Sequence, residues 1–286
     1  MRRIYPDFAY SEAPRANCWW DETASGVERS ALTGERTAEI VIIGGGFTGL
    51  NAALHLARAG VETIVLEAER VGFGASGRNG GFCCLGGGML EDAALDARFG
   101  RAERLAWRRT EAAAIRHVED FIAREGVEVD RHSQGETQLA HRPRDFEEMR
   151  GRLDYYAENF GVEAQLIEKK DLPAHGLNAG FEGAVTVPLG FALNPRKYLM
   201  ALANAAETAG AKICHDSPAT AITSEGKGYV VRTPQGRVQA GRVIVATNGY
   251  SSEDLPRWLA GRYMPTQSSV IVTRPLSEAE LQAQGW

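Results

Sequence analysis

Apolar residues concentrate in residues 38–81, and their spacing changes twice within that stretch. An uninterrupted β-branched run, residues 40–43 (IVII), gives way to Leu50, Ala53, Leu54 and Ala57, which fall on one face of a helix. The change of period predicts a buried strand running through a tight turn into an amphipathic helix. Gly60 suits the position just past that helix, and residues 62–67 (ETIVLE) predict a second buried parallel strand. Further on, Asn194 is a capping residue and Pro195 fits a first helical turn. Leu199, Leu202, Ala203 and Ala206 form an apolar stripe, Gly210 ends the helix, and residues 211–214 predict a strand. Residues 219–224 and 229–233 predict a hairpin around residues 225–228, and residues 237–246 a third strand ending VIVA. Three such short strands predict a flap.

Between residues 100 and 189 the pattern differs. A long helix is predicted over residues 101–125 from Ile115, Val118 and Ile122, and a second from Phe146, Met149, Leu153, Tyr156 and Phe160. Short strands are predicted at residues 127–130, 136–140 and 183–187. Residues 1–36 carry turn formers and aromatics (Tyr5, Phe8, Tyr10, Trp19, Trp20) without periodicity, which predicts an arm docked across the folded body.

The turn between the first strand and helix holds the candidate chemistry. Gly44, Gly46 and Gly49 stand at G-x-G-x-x-G spacing. Gly44 permits the turn, Gly46 has no Cβ to obstruct a pyrophosphate, and Gly49 lets the helix approach the strand. N–H groups at the helix start then face the phosphates. Glu67 ends the second strand 18 residues beyond Gly49, near the interval of about 20 at which a carboxylate accepts ribose hydroxyls. Residues 72–81 (GFGASGRNGG) leave that strand's carboxyl end as a loop, where small residues with Ser76, Arg78 and Asn79 suit close approach to a cofactor. Arg78 offers positive charge to a phosphate or a reduced flavin.

Composition narrows the alternatives. A chain of 286 residues, 44% hydrophobic and 24% charged, is that of a soluble protein large enough for two domains or one elaborate one. A net charge of −5 argues against a nucleic-acid surface, and the arginines of residues 101–124 alternate with Glu103, Glu111, Glu119 and Asp120, predicting a solvated helical face. Cys18, Cys83, Cys84 and Cys214 lack metal-ligand spacing, which points to no metal and a reducing cytoplasm. The N-terminus has no signal-peptide core, and the most apolar window, residues 40–56, contains a glycine triplet, Asn51 and His55, which speaks against a membrane span. The six histidines are scattered, each reading as a surface or satisfied core residue, and no catalytic residue stands out.

The glycine turn, Glu67 and the GFGASGRNGG run together resemble the D-amino-acid-oxidase-like superfamily of FAD oxidoreductases, most nearly its γ-glutamylputrescine oxidase branch. Residues 192–213, 241–251 and 273–281 (TRPLSEAEL) are similar to later family segments, the last following a substrate-domain strand. The resemblance implies an α/β fold: a Rossmann-like FAD-binding domain (residues 1–99 and 191–253) with an inserted, incomplete α+β substrate domain (100–190 and 254–286) containing a mixed sheet. It implies FAD contacts from Gly44, Gly46, Phe47, Thr48, Gly49, Glu67, Ala68, Gly74, Ala75, Ser76, Arg78, Asn79, Gly80 and Gly81. Ala219 would lie by the adenine, and Ala246, Thr247 and Gly249 would pass near the cofactor. The implied reaction oxidises the C–N bond of a small-molecule amine or amino acid by hydride transfer to flavin, with molecular oxygen as acceptor and hydrogen peroxide as product. The family pattern continues past Trp286. The alternative is therefore a non-catalytic or split FAD-binding module that needs a complementing C-terminal chain or a homo-oligomer.

Overall fold

The computed structural model describes residues 18–177, 180–266 and 268–284, so Tyr5, Phe8 and Tyr10 lie outside the described residues. Two compact units emerge, one from the chain up to Gly80 with Asn194–Val270, the other from Gly81–Leu193 with Ile271–Trp286. The first unit begins with α1 (Trp19–Thr23), β1 (Gly34–Ile43), α2 (Phe47–Arg58) and β2 (Thr63–Leu66). The second contains β3 (Phe82–Cys83), α3 (Asp92–Phe99), α4 (Arg101–Glu125), β4 (Glu136–Ala140), α5 (Pro143–Arg150), α6 (Leu153–Phe160), β5 (Gln165–Glu168), β6 (Gly183–Val187) and β7 (Phe191–Ala192). The chain then returns to the first unit with α7 (Pro195–Thr208), β8 (Lys212–Cys214), β9 (Ala221–Glu225), β10 (Gly228–Arg232) and β11 (Gly236–Val245), and α8 (Glu278–Gln284) follows in the second.

In the first unit, six strands form one sheet in the order β8-β2-β1-β11-β10-β9. β1 pairs in parallel with β2, from Ile40↔Thr63 to Ile43↔Leu66, and with β11, from Gly34↔Gly236 to Ile43↔Val245. The strands expected as a separate flap therefore extend the main sheet. β11 is as long as β1 and pairs along its length, while β10 and β9 continue antiparallel from its other edge. β1 also begins earlier than its apolar run: Gly34–Thr37 are exposed and give no apolar signal, yet they pair with residues 236–239 of β11. α2 buries Gly49, Leu50, Ala53, Leu54 and Ala57, as its spacing predicted. α7 buries Leu199, Leu202, Ala203 and Ala206, and the Asn194 side chain accepts the N–H groups of Arg196 and Lys197 at 3.1 Å each. Residues 18–33 dock on this unit: Asn194 donates to the Thr23 hydroxyl at 2.7 Å, and Arg29 grips Glu207 through two hydrogen bonds of 2.9 and 2.7 Å.

The second unit departs further from expectation. Its three-stranded sheet, β4-β6-β5, is antiparallel throughout, not mixed. Residues 127–130 form no strand, because Asp130 (φ +51°) and Ser133 (φ +69°) turn the chain out of a ladder, although Val129 is buried. The single helix expected through Phe146 and Phe160 is two, α5 and α6, interrupted at Gly151 and Arg152. The face expected to be solvated on α4 is so at Arg101, Glu103, Arg109, Arg116, Asp120 and Arg124, with two exceptions. Arg104 is buried against Asp92, Asp96 and Asn159, and Arg108 against Asp92 and Glu111, since α3 lies along α4 and supplies the acids. Because β3 pairs with β7, residues 81–99 and 191–193 belong to this unit, while residues 254–270 belong to the first. Residues 268–277 form no strand, and Ile271 stands fully exposed. Among the described residues, no helix is long and apolar enough to cross a membrane.

Candidate functional site

At the carboxyl end of β1, Gly44 turns the chain with φ +106°, and a Cβ there would lie 2.6 Å from the Ala246 carbonyl oxygen. Gly45 donates its N–H to Glu67 Oε2 at 2.7 Å. Gly46 is extended (φ −85°, ψ −172°), a conformation open to any residue. Its constraint is space, for a Cβ would sit 2.9 Å from Ser76 Oγ. Gly49 lies in the first turn of α2, where a Cβ would be 2.0 Å from the Gly44 carbonyl oxygen and 3.2 Å from Ile42 Cγ2. The helix and strand are therefore in backbone contact at that point. The N–H groups of the first helical turn have no partner within α2. That of Phe47 donates to Ser76 Oγ at 3.0 Å, and Thr48 beside it is exposed.

Glu67 follows β2 and is half-buried. Burial pushes its carboxyl above the ordinary 4.5, while N–H donors of Glu69, Gly45 and Ala68 pull it down. Its backbone is fixed by Glu67 N–H donating to the Cys214 carbonyl and by Ser217 N–H donating to the Glu67 carbonyl, both at 2.9 Å. This places residues 217–219 beside the same strand end, with Ala219 packed against the core around Leu32 and Val41.

The GFGASGRNGG loop is fixed at several points. It turns through a short 3₁₀ segment, Ala75–Gly77, and the Asn79 side chain donates to the carbonyls of Ala75 (3.2 Å) and Ser76 (2.9 Å). Trp20 donates its indole N–H to the Asn79 carbonyl at 2.8 Å, Arg78 lies 3.9 Å from Asp21, and Gly74 faces the Tyr250 ring. From β11, Ala246 donates to the Ile43 carbonyl at 2.8 Å, Thr247 shares a 2.6 Å hydrogen bond with Ser251, and Gly249 has open space around it. The ends of β1, β2 and β11 thus gather Gly44, Gly46, Phe47, Gly49, Glu67, Gly74, Ser76, Ala246 and Thr247. Gly80 closes the first unit, whereas Gly81 opens the second, where its carbonyl accepts the Leu193 N–H at 2.9 Å. Sequence reasoning missed the contact of Gly45, the middle glycine outside the spacing rule, with Glu67, and the approach of the Tyr250 ring to Gly74.

A parallel sheet whose first strand ends in a glycine turn at a helix start, with a carboxylate closing the second, defines a Rossmann-like dinucleotide-binding protein. The DAO family model, FAD dependent oxidoreductase, matches residues 39–286. The chain belongs to that family, and its cofactor is FAD. It is 32% identical over 250 residues to gamma-glutamylputrescine oxidoreductase of Escherichia coli, covering 85% of this chain and 56% of that one. It is 30% identical over 278 residues to a probable oxidoreductase OrdL of Haemophilus influenzae, covering 96% and 64%. The chain thus spans less than two thirds of the length of these relatives. Among solved structures, glycine oxidase from Bacillus cereus superposes with a TM-score of 0.62 at 20% identity, over 78% of this chain and 58% of that one.

The residues present fit an adenosine diphosphate moiety. A Cβ at Gly46 would fill the space beside the helix start. The Glu67 carboxylate accepts the N–H groups of Gly45 (2.7 Å) and Glu69 (3.1 Å), and a carboxylate offers about four acceptor sites, which leaves capacity for hydroxyl donors.

Proposed function

We propose that the chain binds FAD in this crevice and takes part in oxidising the C–N bond of an amine or amino acid, with oxygen as acceptor and hydrogen peroxide as product. The observation that carries the reading is the convergence of Glu67, the Gly44–Gly49 turn and Ser76 at one sheet end. Bound FAD supplies the redox chemistry by accepting hydride from the substrate carbon. The protein's contribution is binding and orientation. Glu67 would accept the ribose hydroxyls, and the α2 amides with Gly46 would hold the pyrophosphate. Ala75, Arg78, Asn79 and Gly80 shape the loop side, with Ala246, Thr247 and Gly249 opposite. Ala219 would adjoin the adenine on the Glu67 side, and the exposed Thr48 and Ala68 would border the cofactor. Arg78 counters phosphate or flavin charge, with Asp21 moderating it.

In this reading the first unit is the FAD-binding domain and the second belongs to the substrate side. The names of relatives that act on γ-glutamylputrescine and glycine support an amine or amino-acid substrate. A partner chain or second copy covering Ile271 and Val272 is part of the proposal, supported by their exposure. Cytoplasmic location is supported by four free cysteines.

The test is an anaerobic titration of the FAD-loaded protein with primary amines, secondary amines and amino acids, followed by admission of air. Bleaching of the oxidised flavin by one class, with peroxide on reoxidation, is expected. A flavin that no amine or amino acid reduces would overturn the reading.

A further inference from the structure

His215 follows β8 and is 2% exposed, yet one of its ring nitrogens meets no partner among the described residues. Nε2 accepts the backbone N–H of Val71 at 3.3 Å, so Nε2 carries no proton and the neutral ring holds its proton on Nδ1. Nδ1 is buried and has no hydrogen-bond partner among the described residues. A residue present only to fill space would be apolar, and a buried orphan of this kind calls for another reason. Val71 is also buried, and it immediately precedes Gly72, where the loop bearing Gly74 and Ser76 begins. The corner is otherwise held by backbone bonds from Asp216 to Glu69 and from Ser217 to Glu67, 2.9 Å each, and by the Ser217 hydroxyl donating to the His215 carbonyl at 2.6 Å.

We propose that His215 is a positioning residue for the cofactor. Its neutral ring latches Val71 and so fixes the root of the loop that brings Ser76 to the start of α2, and protonating the ring releases that root and loosens FAD. The proposal rests on the reading that this loop holds FAD.

The chemistry is a clash of donors. A protonated ring carries N–H on both nitrogens, and its Nε2–H would meet the Val71 N–H, leaving both unsatisfied next to a buried charge. The charged groups around the ring come from every neighbouring segment. They are Glu28 and Arg29 before β1, Glu207 on α7 and Asp216 next in the chain; Glu69 and Arg70 precede Val71 in the sequence. Burial first, and then the Arg29 cation, hold the ring's pKa below its ordinary value, against Asp216, Glu28 and Glu207. With the folded pKa below the unfolded one, the latch is complete above about pH 6.5 and is lost as pH falls through the lower, folded value.

The test follows amide exchange at Val71 and FAD release by recovered flavin fluorescence, between about pH 8 and about pH 5. It uses FAD-loaded wild type, His215→Gln and His215→Leu. In wild type, the Val71 protection factor falls on acidification and FAD release accelerates about tenfold, the scale of one hydrogen bond. His215→Gln, which keeps an acceptor that does not titrate, loses that histidine-dependent limb, and any residual acid release belongs to carboxylates such as Glu67. His215→Leu releases FAD fast at every pH; if it does not fold, the Gln profile alone decides. Protection at Val71 that ignores pH, or a Gln variant that tracks wild type, overturns the latch and leaves the FAD site untouched. If Val71 opens while FAD stays bound, the latch fails together with the placing of FAD at this loop.

Discussion

The Glu67 carboxylate accepts the Gly45 amide at 2.7 Å, tying the end of the second parallel strand to the glycine turn that follows the first. The acid is thereby aimed at the helix start, ready for hydroxyl donors. Its position has a cost, since burial raises its pKa and a charged Glu67 detracts from folded stability as pH rises through that value.

Replacing Glu67 by Gln keeps an acceptor for Gly45 and removes the charge. The FAD-free variant is expected to melt at or above the wild-type temperature at neutral pH, and to lose that advantage on acidification. FAD affinity should weaken roughly 10- to 100-fold, the scale of a hydrogen bond to a charged group. Calorimetry and a flavin-fluorescence titration check both halves. A variant that is less stable and binds FAD normally would contradict the assignment.

Gly46 and Gly49 should separate binding from folding. Alanine at Gly49 drives a Cβ into the Gly44 carbonyl, a backbone atom that cannot step aside, so Gly49→Ala should lose about 3 kcal/mol or more. At Gly46 the obstacle is Ser76 Oγ, which can rotate away for about 1 kcal/mol of hydrogen bonding. Gly46→Ala should therefore fold and bind FAD poorly. Urea melts beside FAD titrations distinguish the two, and the opposite pattern would refute this division of roles.

The Arg29–Glu207 pair fastens residues 18–33 to α7. The Arg29 side chain is 4% exposed and that of Glu207 36%, so the two ends are unequal. Glu207→Ala leaves a buried cation held by the Asn204 side chain and the Val27 carbonyl without a counter-charge, and should cost about 2 kcal/mol. Arg29→Met leaves a carboxylate that water can reach, and it should cost less. Thermal melts of the two variants give the order, and Arg29→Met melting lower would show that the pair does not act this way.

The strand, glycine turn, helix and second strand were legible because a buried parallel strand and an amphipathic helix write their periods into the chain, as did α7 through Asn194 and Pro195. What escaped was set by distant partners. Residues 34–37 give no apolar signal, and β1 includes them because β11 pairs alongside. Arg104 looks solvated until α3 brings Asp92 and Asp96 to it. Within the site, glycine spacing pointed to Gly44, Gly46 and Gly49. The contacts of Gly45 with Glu67, Phe47 with Ser76 and Val71 with His215 join residues 22, 29 and 144 positions apart, beyond any local pattern.

The most direct measurement is a crystal structure of the FAD-loaded protein. The account predicts the adenosine ribose within hydrogen-bonding distance of the Glu67 carboxylate and the pyrophosphate over Gly46 and the first amides of α2. Density for FAD elsewhere, with Glu67 and Gly46 facing solvent, would contradict it.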